Sequence, residues 1–504
     1  MTDYSDYNSV FHPKDEKISG HLKISGNRSL VNIFRKGDSG SREPDYTSIH
    51  GFLDNGAKAS LLYCTPRSRK THHSNEGINF ESVLFPNYVV VGQKFIKANE
   101  PVIRAVRYHF ENVASLLSGR KTFRSLSLSP EEARKLLEKD HAQAARIANT
   151  YGWPEPLLES EIGEHPRILY WSGVPEIVAF DAEVGRISLI NRTSYGMASA
   201  AGIGFDNEVV TNIKFAEPKT LRAATRTIST LHSLFELILG RRQRYQWIEI
   251  ELTHCDDVDG QSHYQTAQLY WNLCNERAND DPNTRTLDAL LNPDRRATEF
   301  ANVAAEWMNS TEAMGDARER FATAFFAPYS INRIVGAANM FDLLPEDRAP
   351  KKKDADEDTT TAVKLCRDVF KDLPDSFAKQ SVLSTLGRIG TASLRDKLYH
   401  RAEKVITMLG GEFRELSIPC NHAVLARNHY VHGSPASFNY QDNFAEFAFL
   451  TDTLEFVFAA SDLIEIGWDV REWLSGPNTL EHPFSLYIFE YPVLLERLKR
   501  LVRK

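Results

Sequence analysis

The sequence has few cysteines and no CxxC pair. It contains five cysteines in 504 residues, an odd number that is scattered along the chain. They are Cys64, Cys255, Cys274, Cys366 and Cys420. A dispersed set of this kind fits a reducing cytosol better than a framework of disulfides.

The sequence also lacks an uninterrupted apolar run. Its first ten residues, MTDYSDYNSV, are polar and acidic, so we expect no secretory signal. The most apolar stretch, residues 444–466, contains five acidic residues, a density that excludes a membrane span. We therefore predict a cytoplasmic protein with no membrane partner.

Several motifs of common enzyme classes are missing. Neither GxxxxGK[ST] nor GxSxG occurs, and Gly202 and Gly204 lack the third glycine of a dinucleotide fingerprint because Asn207 stands in its place. Residues 253–263 resemble a calcium loop, but Cys255 and Thr266 occupy the positions of its first and last acidic ligands. We interpret that segment as a polar turn and predict neither a metal nor another cofactor.

The charge balance argues against a protein that coats nucleic acid. The net charge is −7 at neutral pH, which disfavours binding through bulk electrostatics but does not exclude a local basic cleft. Residues 67–73 are basic, and we interpret them as a solvated loop. The basic C-terminal residues, including Arg497 and Arg500, are equally consistent with contact to RNA and with a solvated helix end.

The first half of the chain has the pattern of β-strands. Residues 88–96 and 102–110 are rich in β-branched and aromatic side chains, and shorter candidates occur at 21–25, 29–34, 58–64 and 186–191. Helices are predicted after Ser129 and, by the spacing of apolar residues, from Leu221 to a stop at Gly240. We predict that residues 1–295 form a twisted antiparallel sheet or sandwich with packed helices.

The second half has helical periodicity instead. Helices are predicted near 318–342, 361–372, 378–388, 392–409, 419–432 and 442–466. The charged run 345–360 contains almost no apolar residue, so we expect a disordered loop there. The sequence thus indicates an α+β multidomain protein in which residues 296–504 form an all-α bundle.

One hexapeptide combines a fixed cation, a carboxamide and an imidazole. It reads Arg427-Asn428-His429-Tyr430-Val431-His432 and is followed by a glycine that can end a helix. On a helix, Arg427 and His432 lie about 7.5 Å apart along the axis, which an arginine side chain can cover. Together they could bind one phosphate and move a proton. The alternative is that both side chains only hold the end of the helix.

The R-N-x-x-x-H spacing on a late helix resembles the HEPN superfamily of ribonucleases, and the flanking sequence resembles its ApeA-like branch of anti-phage proteins. The resemblance implies a catalytic role for Arg427, Asn428 and His432, whereas His429 and Tyr430 fall at variable positions. We include His429 and Tyr430 only as candidate substrate-binding residues. The resemblance also implies a homodimer with a composite active site between two HEPN domains.

These observations lead to three hypotheses. The first is a metal-independent endoribonuclease that cleaves cellular RNA, with tRNA as one candidate, in abortive anti-phage defence. Its N-terminal half would be a sensor that a phage-derived activator engages. The second is a non-catalytic HEPN module that binds RNA or another protein. The third, an enzyme of carbohydrates or nucleotides in the β-rich half, lacks any paired catalytic residues in the sequence.

Overall fold

The computed structural model describes most of the chain. The described residues are 5–12, 18–25, 28–37, 46–74, 77–110, 113, 123–154, 161–196, 204–258, 261–272, 289–351, 357–387, 389, 391–476 and 479–503.

The N-terminal half is built from strands. Those that the structure describes are β1 (Ser5–His12), β2 (Ile18–Ile24), β3 (Leu30–Gly37), β4 (Ser48–Leu53), β5 (Lys58–Ser74), β6 (Gly77–Gly92), β7 (Ile103–Phe110), β8 (Phe123–Ser127), β9 (Arg167–Trp171), β10 (Glu176–Ala182), β11 (Gly185–Tyr195), β12 (Phe205–Lys219), β13 (Tyr245–Val258) and β14 (Gln261–Trp271).

Six of these strands close into a ring. Strand β6 pairs with both β3 and β5, and the order β6-β3-β2-β1-β4-β5 returns to β6, with every pairing antiparallel. Alternate residues of each strand point inwards, so the interior is apolar. Phe11 lies inside the ring against Gly20 and Gly51, where a Cβ atom would overlap its aromatic side chain. The ring therefore has its own hydrophobic core.

An open antiparallel sheet continues from the same β6 strand, in the order β6-β14-β13-β7-β12-β11-β10. Helix α2 (Leu221–Leu239) packs on it through one apolar face. Gly240 ends this helix in the left-handed conformation at φ 66°, which confirms the predicted stop. A smaller unit, in which β8 pairs with β9, includes helix α1 (Pro130–Tyr151), and Ser129 caps this helix as predicted.

The C-terminal half is helical. The helices that the structure describes are α3 (Ala297–Asn309), α4 (Thr311–Phe325), α5 (Ile331–Asp342), α6 (Glu357–Lys371), α7 (Phe377–Gly387), α8 (Leu394–Leu409), α9 (Ser417–His432), α10 (Phe444–Glu465), α11 (Val470–Ser475) and α12 (Pro483–Val502). The predicted fold class, a β-rich region followed by a helical one, is confirmed.

Helix α10 lies at the centre of the helical half. Most of its side chains are buried, and three of its acidic residues pair with buried arginines on neighbouring helices. The pairs are Arg318 with Asp462, Arg333 with Glu455, and Arg401 with Glu465. The charges that interrupt this apolar stretch in the sequence thus join α10 to α4, α5 and α8. No helix in the described part of the chain combines the length and apolarity that a membrane crossing needs.

Sheet and bundle share one core through α2. The indole nitrogen of Trp307 on α3 donates a hydrogen bond to the carbonyl of Thr230 on α2 at 3.0 Å. His482, which caps α12, contacts the carbonyl of Leu237 at 3.0 Å through Nε2. Apolar residues of the open sheet, of α2 and of the bundle form a continuous buried cluster. The boundary predicted at residues 295 and 296 stays a prediction.

Three local interpretations of the sequence need correction. The helix predicted at 318–342 is two helices, α4 and α5, because Pro328 interrupts the chain between them. Residues 67–73 are part of strand β5, and most of 253–263 belongs to β13 and β14, since both hairpins are longer than expected. The turn at 259–260 lies outside the described residues.

The charged run at 345–360 is more ordered than predicted. Residues Glu346–Arg348 form a turn of 3-10 helix, and α6 begins at Glu357. Arg348 is ordered because its guanidinium binds Glu465 of α10 at 2.7 Å. Only residues 352–356 of this run lie outside the described residues.

Candidate functional site

Helix α9 positions the RNxxxH hexapeptide. Pro419 lies in the first turn as predicted, and Cys420, Ala423 and Ala426 are buried against the neighbouring helices. Gly433 ends the helix at φ 69°, and its amide donates to the carbonyl of His429 at 3.0 Å. The buried face fixes the rotation of the helix, and the glycine stop leaves His432 in an exposed last turn.

The side chains of Arg427 and His432 are in direct contact. Arg427 Nη1 lies 2.9 Å from His432 Nε2 and donates to Asn428 Oδ1 at 3.2 Å. A guanidinium has only donors, so the contact requires a lone pair on Nε2 and places the ring proton on Nδ1. The predicted meeting of cation and imidazole is therefore present within one chain.

Helix α5 contributes two residues that the sequence analysis did not identify. Arg427 Nη2 donates to Asn339 Oδ1 at 3.2 Å and lies 3.7 Å from Asp342 Oδ2. Asn339 and Asp342 are three residues apart and so share a face of α5. A polar pair at this spacing at the end of an apolar helix is a weak signal, and nothing in the sequence connects it to residue 427.

One side of the site is buried against the bundle, and the other side is open to solvent. Only 16% of the Arg427 side chain is exposed, and its buried Nε atom has no partner among the described residues. Asp342 is nearly half exposed, and His432 is exposed. Helix α5 thus holds the Nη2 side of Arg427. The Nη1 side and the imidazole of His432 face the surface, where a phosphate could approach both groups.

His429 and Tyr430 have other partners. His429 Nδ1 donates to the carbonyl of Ser434 at 2.7 Å and so holds the chain after the helix. Tyr430 packs against Tyr440 and Phe447 at centroid distances of 5.6 and 6.1 Å. Burial, with a smaller effect of Tyr440, raises the pKa of Tyr430. These contacts explain both residues structurally, and their role in substrate binding stays a prediction.

The described residues contain no group of three or more histidine, cysteine, aspartate or glutamate side chains placed to hold a metal ion. The four described cysteines, Cys64, Cys255, Cys366 and Cys420, are free thiols.

Comparison with known families gives two matches that together span most of the chain. The family described as ApeA N-terminal domain 1 matches residues 9–307, and the family described as Apea-like HEPN matches residues 335–472. The second match includes α9, α10 and the part of α5 from residue 335 onwards. It therefore contains every residue of the Arg427 cluster, namely Asn339, Asp342, Arg427, Asn428 and His432. No curated protein and no solved structure matches the chain.

Proposed function

Because the chain belongs to the ApeA-like HEPN family of anti-phage proteins, we propose that it is an endoribonuclease that cleaves cellular RNA without a metal during phage infection. The contact between Arg427 and His432 carries this proposal. It joins a group that can neutralise a phosphate to a group that can transfer a proton, at an exposed helix end.

The reaction is an attack of the ribose 2′-hydroxyl on the adjacent phosphorus. The 2′-oxygen bonds to phosphorus, the bond from phosphorus to the 5′-oxygen breaks, and the products are a 2′,3′-cyclic phosphate and a 5′-hydroxyl. In the free protein the lone pair of His432 Nε2 accepts from Arg427 Nη1. Once the bound phosphate takes over this Nη1 donor, the freed lone pair takes the proton of the 2′-hydroxyl. Arg427 stabilises the additional negative charge on the phosphate oxygens, and Asn428 and Asn339 orient its guanidinium.

A second proton must reach the leaving 5′-oxygen, and a single histidine is poorly equipped to donate it while accepting the first. In a twofold dimer that brings two α9 ends together, His432 of the partner subunit donates this proton. Two exposed apolar residues beside the site support a dimer interface at this position. Val431 and Leu343, 44% and 45% exposed, directly adjoin His432 and Asp342 in the sequence.

The N-terminal half is the proposed sensor. The match to ApeA N-terminal domain 1 extends over its strands and α2, and α2 shares a core with the bundle. A phage-derived activator that binds this half can therefore alter the bundle through packed side chains, and no linker has to transmit the signal.

The decisive experiment measures RNA cleavage by His432→Ala and Arg427→Lys. We expect His432→Ala to reduce the rate by about 10²–10⁴-fold, the range for loss of a general acid or base. Its melting temperature should not change, because His432 is exposed. Arg427→Lys retains the charge but loses the forked geometry, so cleavage should also fall. A 2′-deoxy nucleotide at the cleavage position should block the reaction.

His422→Ala is the matched control, since His422 lies on the same helix outside the hexapeptide. It should cleave RNA at the wild-type rate.

The alternative function, a non-catalytic RNA-binding or protein-interaction module, has support in the four contacts by which Arg427 ties α9 to α5 and to its own end. Loss of stability with unchanged cleavage in Arg427→Lys and His432→Ala would favour that alternative and overturn the nuclease.

A further inference from the structure

A cavity of about 450 Å³ lies between the two halves of the protein. Helix α2 forms one side together with Tyr88 of β6, Tyr245 of β13 and Trp271 of β14, and α3 and α4 of the bundle form the other. This volume falls in the range of about 300–1,000 Å³ that is typical of small-molecule sites. The cavity is separate from the Arg427 cluster, because none of the cluster residues lines it.

The inner wall of the cavity is aromatic. Tyr245 stacks on His232 at a centroid distance of 4.2 Å and lies 6.2 Å from Trp271, which in turn lies 6.1 Å from Tyr88. All four rings line the cavity. Flat apolar faces of this kind are suited to a planar heterocycle. Stacking requires only a π-face and does not depend on which polar atoms the ring carries.

Two polar atoms at this wall lack a partner among the described residues. The Nε2 atom of His232 donates to the carbonyl of Gln243 at 3.2 Å, and burial lowers the pKa of this histidine to about 4. The ring is therefore neutral, and its buried Nδ1 is an unpaired acceptor. The buried Trp271 Nε1 is an unpaired donor. Both atoms have almost no surface open to the cavity and carry a desolvation cost in the wall itself.

The charged residues around the cavity fall into paired and unpaired groups. Arg242 binds Glu236 at 3.2 Å, and Arg318 binds Asp462. Arg222 and Arg226, one turn apart on α2, are exposed and take part in none of the ion pairs of the described residues. The guanidinium of Arg222 lies over the ring of Tyr63, 4.4 Å from its centroid, and its N–H edge is left for an anion. The two arginines offer two guanidinium groups to an anion such as a phosphate.

Helix α4 supplies acceptors on the opposite side. Asp316 and Glu319 are exposed, line the cavity and form no ion pair within the described part of the chain. Carboxylates in nucleotide-binding proteins commonly accept hydrogen bonds from ribose hydroxyls. The cavity thus combines stacking faces, two guanidinium groups that form no ion pair within the described residues, and two carboxylates.

We propose that this cavity binds a mononucleotide. The base stacks among Tyr245, Trp271 and Tyr88, the ribose bonds to Asp316 or Glu319, and the phosphate binds Arg222 and Arg226. Since its walls come from both halves, the bound nucleotide stabilises their junction by an amount that rises with the logarithm of its concentration relative to Kd. The nucleotide site does not depend on the ribonuclease proposal, and a separate binding measurement tests it.

The test is calorimetric titration of the full-length protein with AMP, GMP, CMP and UMP. We expect one-to-one binding of at least one of them, with quenching of tryptophan fluorescence as the base stacks. The affinity should fall at least tenfold in the Arg222→Ala/Arg226→Ala variant and several-fold in Trp271→Leu, which loses a stacking face. His432→Ala should bind as wild type does, which separates this cavity from the proposed nuclease site.

Arg192→Ala is the control for general loss of positive charge, because Arg192 is exposed on β11 and 3.9 Å from Glu208. It should leave the affinity unchanged. The proposal is overturned if no nucleotide binds at millimolar concentration, if ribose 5-phosphate binds as tightly as the nucleotides, or if the cavity variants retain wild-type affinity. Tighter binding of a 5′-phosphorylated tetranucleotide than of any mononucleotide would also contradict it, since that result would indicate an RNA end as the ligand.

Discussion

The interior of the six-stranded ring and the centre of the helical half are equally inaccessible to water but differ in chemistry. In the ring, the described buried polar side chains are serines, namely Ser9, Ser29, Ser60 and Ser82, and no charged residue is buried. Around α10, in contrast, three arginines are paired with three carboxylates at low exposure. One core is held by packing alone, and the other also by directional ionic contacts.

The difference bears on the candidate site. Apolar packing tolerates small displacements, whereas a buried Arg–carboxylate pair has one good geometry and a high cost when it is broken. The pairs fix α10 relative to α4, α5 and α8, and α9 packs in the same group of helices. The ionic contacts therefore define the frame in which Arg427 reaches Asn339 and Asp342 on α5.

The largest expected effect is the loss of a buried cation from the helical half. In Arg318→Met, Asp462 remains 1% exposed and loses its bidentate partner. We expect the free energy of unfolding, measured in urea, to fall by about 3–5 kcal/mol. The double variant Arg318→Met/Asp462→Leu should recover much of this loss, because no buried charge remains. If the double variant is as unstable as the single one, the ionic description of this core is wrong.

A smaller effect is expected from overpacking the ring. Gly51→Ala places a methyl group against Phe11, and we expect it to cost about 1–3 kcal/mol. Phe11→Leu in the same chain should restore part of the stability by making room. Gly163→Ala, which meets no neighbouring atom, should be neutral. In hydrogen exchange, Gly51→Ala should reduce the protection of β2 more than that of α10, and equal losses would contradict separate cores.

The third prediction concerns the loss of stability at low pH. Burial alone would raise the pKa of Glu465, but Arg401, Lys404 and Arg348 together lower it to about 2, from 4.5 for a free side chain. Its contribution to stability is therefore complete above about pH 4.5 and lost as the pH falls towards 2. With allowance for solvent screening, we expect this contribution to be about 1–2 kcal/mol.

Glu465→Gln tests this linkage. The variant should be less stable than wild type at pH 6, and the difference should shrink at pH 3 when both are unfolded in urea. A difference of equal size at both pH values would show that Glu465 acts through its shape and not through its charge. Neither result should depend on the ring, since its described interior contains no buried carboxylate or histidine that would titrate between pH 3 and pH 6.

Local features of the fold were predictable from the sequence because they depend on neighbouring residues. Ser129 and Pro130 begin a helix, Gly240 and Gly433 end helices, and the alternation of Ile248 and Ile250 identifies a strand. Each is set by backbone preferences or by burial of one face. The contact of Arg427 with His432 belongs to this class, since both lie on one helix.

Long-range features were not predictable in the same way. The closure of the ring depends on β6 pairing with β3 and β5 at once, and pairing between distant strands leaves no periodic signal in a single sequence. Asn339 reaches Arg427 over 88 residues. The cavity combines residues from Tyr88 to Thr323, and only the packing of α2 against the bundle brings them together.

The double pairing of β6 also has a consequence for how the protein is made. The six strands of the ring lie within the first 92 residues, whereas the RNxxxH hexapeptide begins at residue 427. Because nascent chains fold from the N-terminus as they leave the ribosome, the ring can close long before α9 has been translated. A ribosome that synthesises this protein thus completes the core of its proposed sensor hundreds of codons before it makes the residues that could damage RNA.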